Sequence, residues 1–430
     1  MALRSAMDAV VAFTGSARVA SAIATSAIGA AVLAWPLQRL IGLPGLNTII
    51  ITLCLLAVAS VWARRDSIDG TGLLPISLLG FGGWAMLSIF WSSYQWATLA
   101  GLLALAGFTI LGLYVSLVRD TIQIVRAFGD VARLVLVVSL VVEVLSGLLI
   151  DTPIPFLGIG GNLAVGGPIS GVIGNRNDLG LIAIIGAISF VIELRTKSLQ
   201  RWPAIGSLIL ASLVLVLTRS PIAWGTALVV VAAAAVLYAL RRTSAQHRRG
   251  WQFGTLGAAA AVALGAWWLR SPIVDALNAT GELNYRLDLW RDLWDLLQVH
   301  FVEGWGWIGQ WNTGISPYLV FATGNDRLTV SASNAYLDVW FQLGIVGLAL
   351  FLVLVGLAFV RSWLLASRKR SVVYTWPALA LAALLTASLA ESSILIDFGW
   401  MTFVICCVKA SQSLGWRTAF QKPLEPETLN

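Results

Sequence analysis

The sequence is poor in charged residues, cysteines and histidines. Only 11% of its 430 residues are charged, whereas an ordinary soluble domain has about 25%. Cys54, Cys406 and Cys407 lie in apolar stretches without a CxxC motif, so neither a disulfide framework nor a zinc site is supported. His247 and His300 are the only histidines. They leave little choice for a His-based metal site or a neutral-pH base.

Apolar residues, by contrast, make up 58% of the chain. They form recurrent runs of about twenty residues, which is the length that a helix needs to cross a bilayer. Runs such as 223–240 are apolar on every side, whereas strands of a membrane barrel would alternate in polarity. We therefore expect an all-α, polytopic membrane protein.

Twelve candidate spans follow from the apolar runs, and together they make a single integral membrane domain over residues 1–430. The spans lie at 19–37, 44–63, 72–90, 97–118, 132–150, 177–194, 202–218, 221–240, 252–269, 335–360, 374–390 and 394–408. We expect the first span to be retained rather than cleaved as a signal peptide, because Arg18 precedes a run long enough to span. The largest extramembrane segment is the loop 270–334, between the ninth and tenth spans.

The distribution of basic residues predicts the orientation. With both termini in the cytoplasm, all but seven of the 28 basic residues fall on the inner side, as the positive-inside rule requires. The net charge of +7 is thus a topological signal and does not indicate nucleic-acid binding. The seven outer cations are all arginines: Arg39, Arg176, Arg219, Arg270, Arg286, Arg291 and Arg327.

Several outer arginines lie at span ends or on an apolar helix face, where an unpaired charge is costly. Arg176 and Arg219 are next to predicted helix starts, and Arg286 lies on the apolar face of a loop helix. Because a guanidinium binds phosphate oxygens with two parallel hydrogen bonds, these positions suggest an anionic ligand. Pairing with Asp or Glu is the alternative for each of them.

Three predicted helices begin on the outer side with residues suited to capping. Their first residues include Asn175, Arg176 and Asn177 before the sixth span, Ser220 before the eighth, and Asn334 and Tyr336 at the tenth. Asn and Ser are good N-caps, and helix N-termini favour phosphate groups. Ordinary capping explains each residue singly, whereas a substrate-binding role rests on their shared side of the membrane.

The outer loop contains an amphipathic helix at 284–300. Trp290, Leu293, Trp294 and Leu297 form one face, and Arg291 is expected to pair with aspartates on the other. Such a helix would rest at the membrane interface. The later Trp305, Trp307 and Trp311 either belong to the interfacial aromatic belt or stack on sugar rings.

The order of motifs from about residue 80 to 400 resembles the O-antigen ligase-like family of bacterial polysaccharide ligases and polymerases. The matching segments are 87–93, 174–178, 218–220, 285–290, 304–306, 334–337 and 342–347. Each motif is weak alone, and their order and topological side carry the match.

The resemblance implies an inverting glycosyltransferase of the GT-C type in the bacterial inner membrane. It would act at the extracytoplasmic face, without a metal or other cofactor. Its partners would be a polyprenyl-diphosphate-linked glycan donor, a glycan acceptor and membrane lipid. The resemblance assigns Arg219 and Arg286 to the diphosphate, in agreement with the outward arginines.

One position departs from the family pattern. The family often has a histidine, thought to activate the acceptor hydroxyl, where this chain has Ser333. Serine is a poor general base, so His300, Asp326 and Asp338 are candidates to replace it, and Ser333 could still orient the acceptor. His300 could equally cap the loop helix, Asp338 could be a solvated first-turn residue, and Glu391 and Asp397 could pair with an outer arginine.

We expect polymerisation of lipid-linked repeat units, ahead of ligation of a glycan to a lipid or protein. The other functional class is a transporter or flippase of lipid-linked oligosaccharide. That class predicts charged residues deep within spans and paired halves. Glu143 is the only clearly mid-span acid, and no matching halves are visible.

Overall fold

A computed structural model describes residues 16–65, 75–243, 280–323 and 329–412, together with positions 250, 254, 257, 265 and 268. Apart from one isolated antiparallel bridge, these residues form helices and loops. The helices are α1 (Ala17–Val32), α2 (Ala34–Ala63), α3 (Ile76–Leu87), α4 (Gln95–Val118), α5 (Thr121–Val144), α6 (Arg176–Thr196), α7 (Arg201–Leu217), α8 (Pro221–Arg242), α9 (Thr280–Leu297), α10 (Val320–Thr323), α11 (Ala335–Arg368), α12 (Thr375–Ala387) and α13 (Asp397–Gln412).

The all-α, multi-pass architecture is confirmed. Six helical segments of the described chain are long and apolar enough to cross a membrane: Ala34–Ala63, Gln95–Val118, Thr121–Ile150, Arg176–Thr196, Pro221–Arg242 and Ala335–Arg368. The shorter α12 and α13 are apolar all round and almost completely buried within the bundle. Eleven predicted spans coincide with helices. The ninth, at 252–269, lies outside the described residues apart from single positions.

Helix α11 is broken at Gly344, where the outer loop crosses it. Gly344 has φ +69°, and a Cβ there would collide with the carbonyl oxygen of Val302. Three backbone hydrogen bonds join loop and helix: Trp305 N to Phe341 O (3.0 Å), Gly306 N to Gln342 O (2.8 Å) and Ile345 N to Phe301 O (3.0 Å). Backbone groups freed by the break are thus satisfied within the protein, which an irregular segment at membrane depth requires.

The loop between α5 and α6 is anchored on α5 by a buried acid. Glu143 Oε1 accepts hydrogen bonds from the backbone N of Ser170 (3.0 Å) and Gly171 (2.8 Å). Ser139 Oγ accepts a third from Val172 N at 3.2 Å. The mid-span Glu143, which is 1% exposed, therefore serves as an acceptor for loop N–H groups. This fixes the segment that leads into α6.

The outer loop has a hydrophobic core of its own, built on α9. Leu289, Leu293 and Leu297 are buried against an aromatic cluster in the loop and at the start of α11: Trp311, Tyr318, Phe321 and Phe341. The predicted apolar face was therefore partly wrong, because Leu289 is buried whereas Trp294 is 48% exposed. The packing of the loop and the break in α11 set the buried face, and helical periodicity alone could not separate these two positions.

The sugar-stacking interpretation of the loop tryptophans is wrong for Trp307 and Trp311. They are 0% and 4% exposed and pack inside the protein. Trp305 is half-buried, and its indole N–H donates to Leu296 O at 3.2 Å. Trp307 and Trp311 are therefore part of the protein core and cannot stack on a sugar ring.

Candidate functional site

Three helix N-termini converge where the outer loop meets the bundle, and each is capped as the sequence predicts. Asn175 Oδ1 accepts from Asn177 N (2.9 Å) at the start of α6, and Ser220 Oγ accepts from Ala223 N (3.0 Å) at the start of α8. At α11, Asn334 Oδ1 accepts from the N–H groups of Tyr336 (3.0 Å) and Leu337 (3.1 Å). These caps leave further N–H groups of each first turn directed out of the helix.

Side chains from these helices are joined in one hydrogen-bonded chain. Ser220 Oγ donates to Asn177 Oδ1 (2.6 Å), and Asn177 Nδ2 donates to Glu391 Oε1 (2.5 Å). Glu391 in turn pairs with Arg286 Nη2 at 3.1 Å. Residues far apart in sequence thus meet at one place. The segments involved are all ones that the charge distribution places on a single side of the membrane.

Arg286 lies at the centre of this network and is 7% exposed. Its Nη2 pairs with Glu282 (3.0 Å) and Glu391 (3.1 Å), and its Nη1 donates to the carbonyls of Ser333 (3.3 Å) and Ala390. Of the two explanations for this buried guanidinium, pairing with acids is the one that the structure displays. Both terminal nitrogens of Arg286 are engaged by the protein itself.

Arg176 is paired in the same manner, through a 2.6 Å contact with the second oxygen of Glu282. One carboxylate therefore links Arg176 on α6 to Arg286 on α9. Burial by itself would raise the pKa of Glu282, but the charges of Arg176 and Arg286 and their hydrogen bonds hold it below its ordinary value. Glu282 is consequently ionised at neutral pH.

Arg219 differs from the other two arginines. It is exposed, and it has no ion pair within the described part of the chain. Its backbone, between Thr218 and Ser220, has φ +46°, a left-handed conformation that is unfavourable for residues other than glycine. A Cβ added at Gly166 would lie 3.4 Å from Arg219 Nη2, so the guanidinium lies directly beside the α5–α6 loop.

Strained backbone is concentrated at this place. Of the five described non-glycine residues with positive φ, three lie in the segments that form the site: Arg219 (+46°), Ser333 (+48°) and Asp397 (+41°). Such conformations cost about 1–3 kcal/mol each and persist where the surrounding contacts enforce them. They cluster at functional sites often enough to support this location as the site.

Ser333 and Tyr336 are held close to the network by the turn that begins α11. Ser333 contributes its carbonyl to Arg286, and its backbone N donates to Ser331 Oγ at 3.2 Å. The ring of Tyr336 packs on the bundle core near Phe351, with 6.0 Å between the ring centroids. Tyr336 is half-buried there, and Asn334 Nδ2 donates to the carbonyl oxygen of Leu389 at 3.0 Å.

Two candidates for the general base have other tasks. Asp338 is 1% exposed and accepts hydrogen bonds from Trp311 (2.8 Å), Gln342 (2.8 Å) and Ala332 N (3.3 Å). The expectation of a solvated first-turn residue was wrong, because the loop covers this carboxylate. His300 follows α9 by three residues, roughly 20 Å along the helix from Arg286, and pairs with Glu303 at 2.8 Å. Asp326 lies outside the described residues.

Glu282 and Glu391 are the carboxylates at the centre of the site. The sequence carried a signal for Glu282, since it precedes Arg286 by one helical turn. The expectation that Glu391 pairs with an outer arginine is confirmed, and so is the pairing of Arg291 with Asp288 at 2.7 Å. Asp397 makes no ion pair within the described residues.

Glu391 is the titratable group best suited to proton transfer. It lies in the turn between α12 and α13, where burial and the neighbouring charge of Asp178 raise its pKa to about 7, against the opposing effect of Arg286. A carboxyl group with a pKa near the working pH is an efficient general base. The structure thus offers a base candidate on the same network as the arginines.

The comparison with protein families agrees with this location. Residues 206–352 match the family model described as O-antigen ligase, which confirms the resemblance for about a third of the chain. The matched segment holds Arg219, Ser220, Arg286, Ser333 and Asn334. Glu391 lies beyond it. No curated protein matches the chain.

Proposed function

From the O-antigen ligase segment at residues 206–352, we propose that this membrane enzyme transfers a glycan from a polyprenyl-diphosphate carrier to an acceptor sugar at the extracytoplasmic face. Of the two reactions, we favour polymerisation of repeat units over ligation of a glycan to a lipid or protein. The observation that carries the proposal is the exposed Arg219, which has no ion pair in the described part of the chain and directly precedes Ser220 at the N-terminus of α8. Hydrogen bonds connect Ser220 through Asn177 to Glu391.

Arg219 is the direct ligand that we assign to the diphosphate. Its guanidinium is free to form a two-point contact with phosphate oxygens, and the helix start beside it adds backbone N–H groups and a positive dipole end. As the glycosidic bond breaks, negative charge builds up on the leaving diphosphate, and a fixed cation stabilises that charge. The polyprenyl tail would lie along the apolar bundle.

Arg286 is assigned to positioning rather than to direct contact with the donor. Its terminal nitrogens already bond two carboxylates and two carbonyls. These bonds fix Glu391, the turn that holds Ser333, and the N-terminal end of α9 relative to one another. Loss of Arg286 would leave Glu391 without its cation and Glu282 with Arg176 alone, so its substitution is expected to disorganise the site and to weaken the fold.

Glu391 is our candidate for the general base in place of the family histidine. In an inverting transfer, the acceptor oxygen attacks the anomeric carbon while its proton passes to the Glu391 carboxylate. The bond from the anomeric carbon to the phosphate oxygen breaks, and its electron pair leaves with the polyprenyl diphosphate. The diphosphate is a good leaving group, so moderate assistance from a base near pKa 7 suffices.

The transporter alternative predicts charged residues within spans, and the sequence offers one clear example, Glu143. Glu143, the mid-span acid, is committed to backbone N–H groups of the α5–α6 loop. A group on a transport pathway would instead have to exchange partners during the cycle. We therefore favour transfer over translocation.

The experiment that tests the function uses the full chain in lipid nanodiscs with a purified polyprenyl-diphosphate repeat unit. Donor alone should give a ladder of longer lipid-linked glycans if the enzyme polymerises. A product that appears only after addition of a lipid or protein acceptor would identify a ligase. Relocation of unextended donor across the bilayer of a proteoliposome, without any new glycosidic bond, would contradict both.

A further inference from the structure

A cavity of about 240 Å³ adjoins the proposed site, and Glu391, the partner of Arg286, is one of its lining residues. We call it the acid cavity. Its lining includes Trp35, Asp178, Asp338, Glu391, Ser392 and Asp397. It is formed where the junction of α1 and α2, the start of α6 and the α12–α13 turn come together. Glu391 thus belongs both to the arginine network and to this cavity.

The titratable groups of the lining are all acids. Asp178, Asp338, Glu391 and Asp397 contribute four carboxyl groups, and no Lys, Arg or His is among the lining residues. Glu391 alone of the four has an arginine partner in the described part of the chain. Asp178 accepts a hydrogen bond from Ser393. A wall of this kind presents many hydrogen-bonding oxygen atoms and no cation that would attract an anion.

A buried hydroxyl group also lines the cavity. Ser392 is 6% exposed, and its hydroxyl lies near the carboxyl group of Asp338 but has no partner within 3.5 Å in the described residues. Buried hydroxyl groups are normally satisfied, because leaving one unpaired costs about 1–3 kcal/mol. A ligand that both donates and accepts hydrogen bonds would satisfy Ser392 and the neighbouring carboxylates together.

Trp35 supplies an apolar wall. Gly174 and Gly158 pack against the edge of its indole, and a Cβ at Gly174 would collide with the ring. Both glycines have positive φ, so the loop reaches Trp35 through conformations that glycine permits. The guanidinium of Arg39 lies over the ring, 5.2 Å from its centroid. The indole is therefore held in a fixed orientation at the rim of the cavity.

We propose that the acid cavity binds the terminal sugar of the acceptor glycan, and that it selects an uncharged sugar over a uronic acid. Hydroxyl groups of a sugar would donate to the carboxylates, with an apolar ring face towards Trp35. Its volume lies below the roughly 300–1,000 Å³ of pockets for drug-sized ligands, which suits a single ring. The carboxylate of a uronic acid would lose its hydration there without meeting a Lys, Arg or His among the lining residues.

This inference rests on the proposed function and adds its acceptor. A sugar hydroxyl in the cavity would lie against Glu391, the proposed base, whereas the donor diphosphate would lie at Arg219. Most of the lining, including Trp35, Asp178 and Asp397, falls outside the family segment 206–352. Most residues that select the acceptor would thus lie outside the segment that matches the family.

The binding test uses saturation-transfer NMR on the detergent-purified full chain with glucose, galactose, mannose and glucuronate as probes. We expect transfer to at least one neutral hexose, no transfer to glucuronate, and at least tenfold weaker hexose binding in Trp35→Ala. Asp397→Asn should reduce the discrimination against glucuronate, and Asn tolerates the positive φ of that position. Trp62→Ala, at the far end of α2 and 67% exposed, is the control and should behave as wild type.

Kinetics separate the failure of this proposal from the failure of the function. With lipid-linked donor at saturation, Trp35→Phe and Asp397→Asn should raise the KM for the acceptor about tenfold and leave donor affinity unchanged. An unchanged acceptor KM in both variants, or equal binding of glucuronate and hexose by wild type, overturns the acceptor assignment. If wild-type protein forms no glycosidic bond from the donor, the proposed function itself fails.

Discussion

Arg219→Ala gives the sharpest test of the donor site, because Arg219 is the arginine of the network region that has no acid partner in the described residues. A guanidinium that binds a diphosphate makes two charge-assisted hydrogen bonds, each of which contributes about 1.5–3 kcal/mol to the binding free energy. Because Arg219 is exposed, water and salt screen its charge, so each hydrogen bond should contribute an amount near the lower end of that range. The loss is therefore about 3 kcal/mol, or about a hundredfold in kcat/KM at 1.36 kcal/mol per factor of ten.

The fold should tolerate the change. The side chain is exposed, so the free energy of unfolding is expected to move by less than about 0.5 kcal/mol. The positive φ of Arg219 disfavours alanine and arginine alike and contributes no difference. Arg219→Lys should recover about a tenth of wild-type activity, since an ammonium retains the charge but not the planar fork.

The assay is the rate of glycan extension from a purified polyprenyl-diphosphate repeat unit in nanodiscs, together with the melting temperature of each variant. Arg291→Ala is the matched control, because Arg291 is a predicted outer arginine that is 75% exposed in its side chain and pairs with Asp288. It should retain full activity. If Arg219→Ala extends glycan within threefold of wild type, the diphosphate does not bind where we place it.

Three further outcomes are expected. Gly344→Ala should lower the yield of folded protein in a size-exclusion assay, because residue 344 has a positive φ and an added Cβ would collide with Val302. Gly356→Ala is the control, since a Cβ at this position of the same helix meets open space. Glu143→Ala should lower the melting temperature, since two loop N–H groups each lose a bond worth about 1–3 kcal/mol, whereas Glu143→Gln retains an acceptor. The rate of glycan extension by the wild type should rise with pH through about 7 as Glu391 loses its proton. The Glu391→Gln variant should be about 10²–10⁴-fold slower and show no such rise. A Gln variant with the wild-type pH profile would exclude Glu391 as the base.

The raised pKa of Glu391 has an opposite effect on stability. The folded state holds its proton up to about pH 7, whereas the unfolded chain releases it near the ordinary value of 4.5. Between these values the native state binds more protons, so this group's contribution to the free energy of unfolding falls as pH rises from about 4.5 to 7. Activity and stability should therefore change in opposite directions over this window.

Much of the site followed from local sequence. Asn175, Ser220 and Asn334 were predictable as caps because an N-cap bonds a backbone N–H within three residues of itself. The pairing of Arg291 with Asp288 follows from helical spacing in the same way. By contrast, the burial of Asp338 depends on the outer loop folding over it, and Trp311 reaches it from 27 residues away.

The sequence by itself predicted most of the helical spans and the capped starts of three helices, because hydropathy and capping act over a few residues. Tertiary structure decided which arginine remained available to a ligand. Arg286 meets Glu391 across 105 residues of chain, and Arg176 meets Glu282 across 106, whereas Arg219 finds no acid in the described chain. Ion pairing depends on distances of a few ångströms between remote segments, and only the packed bundle and its folded loop set those distances.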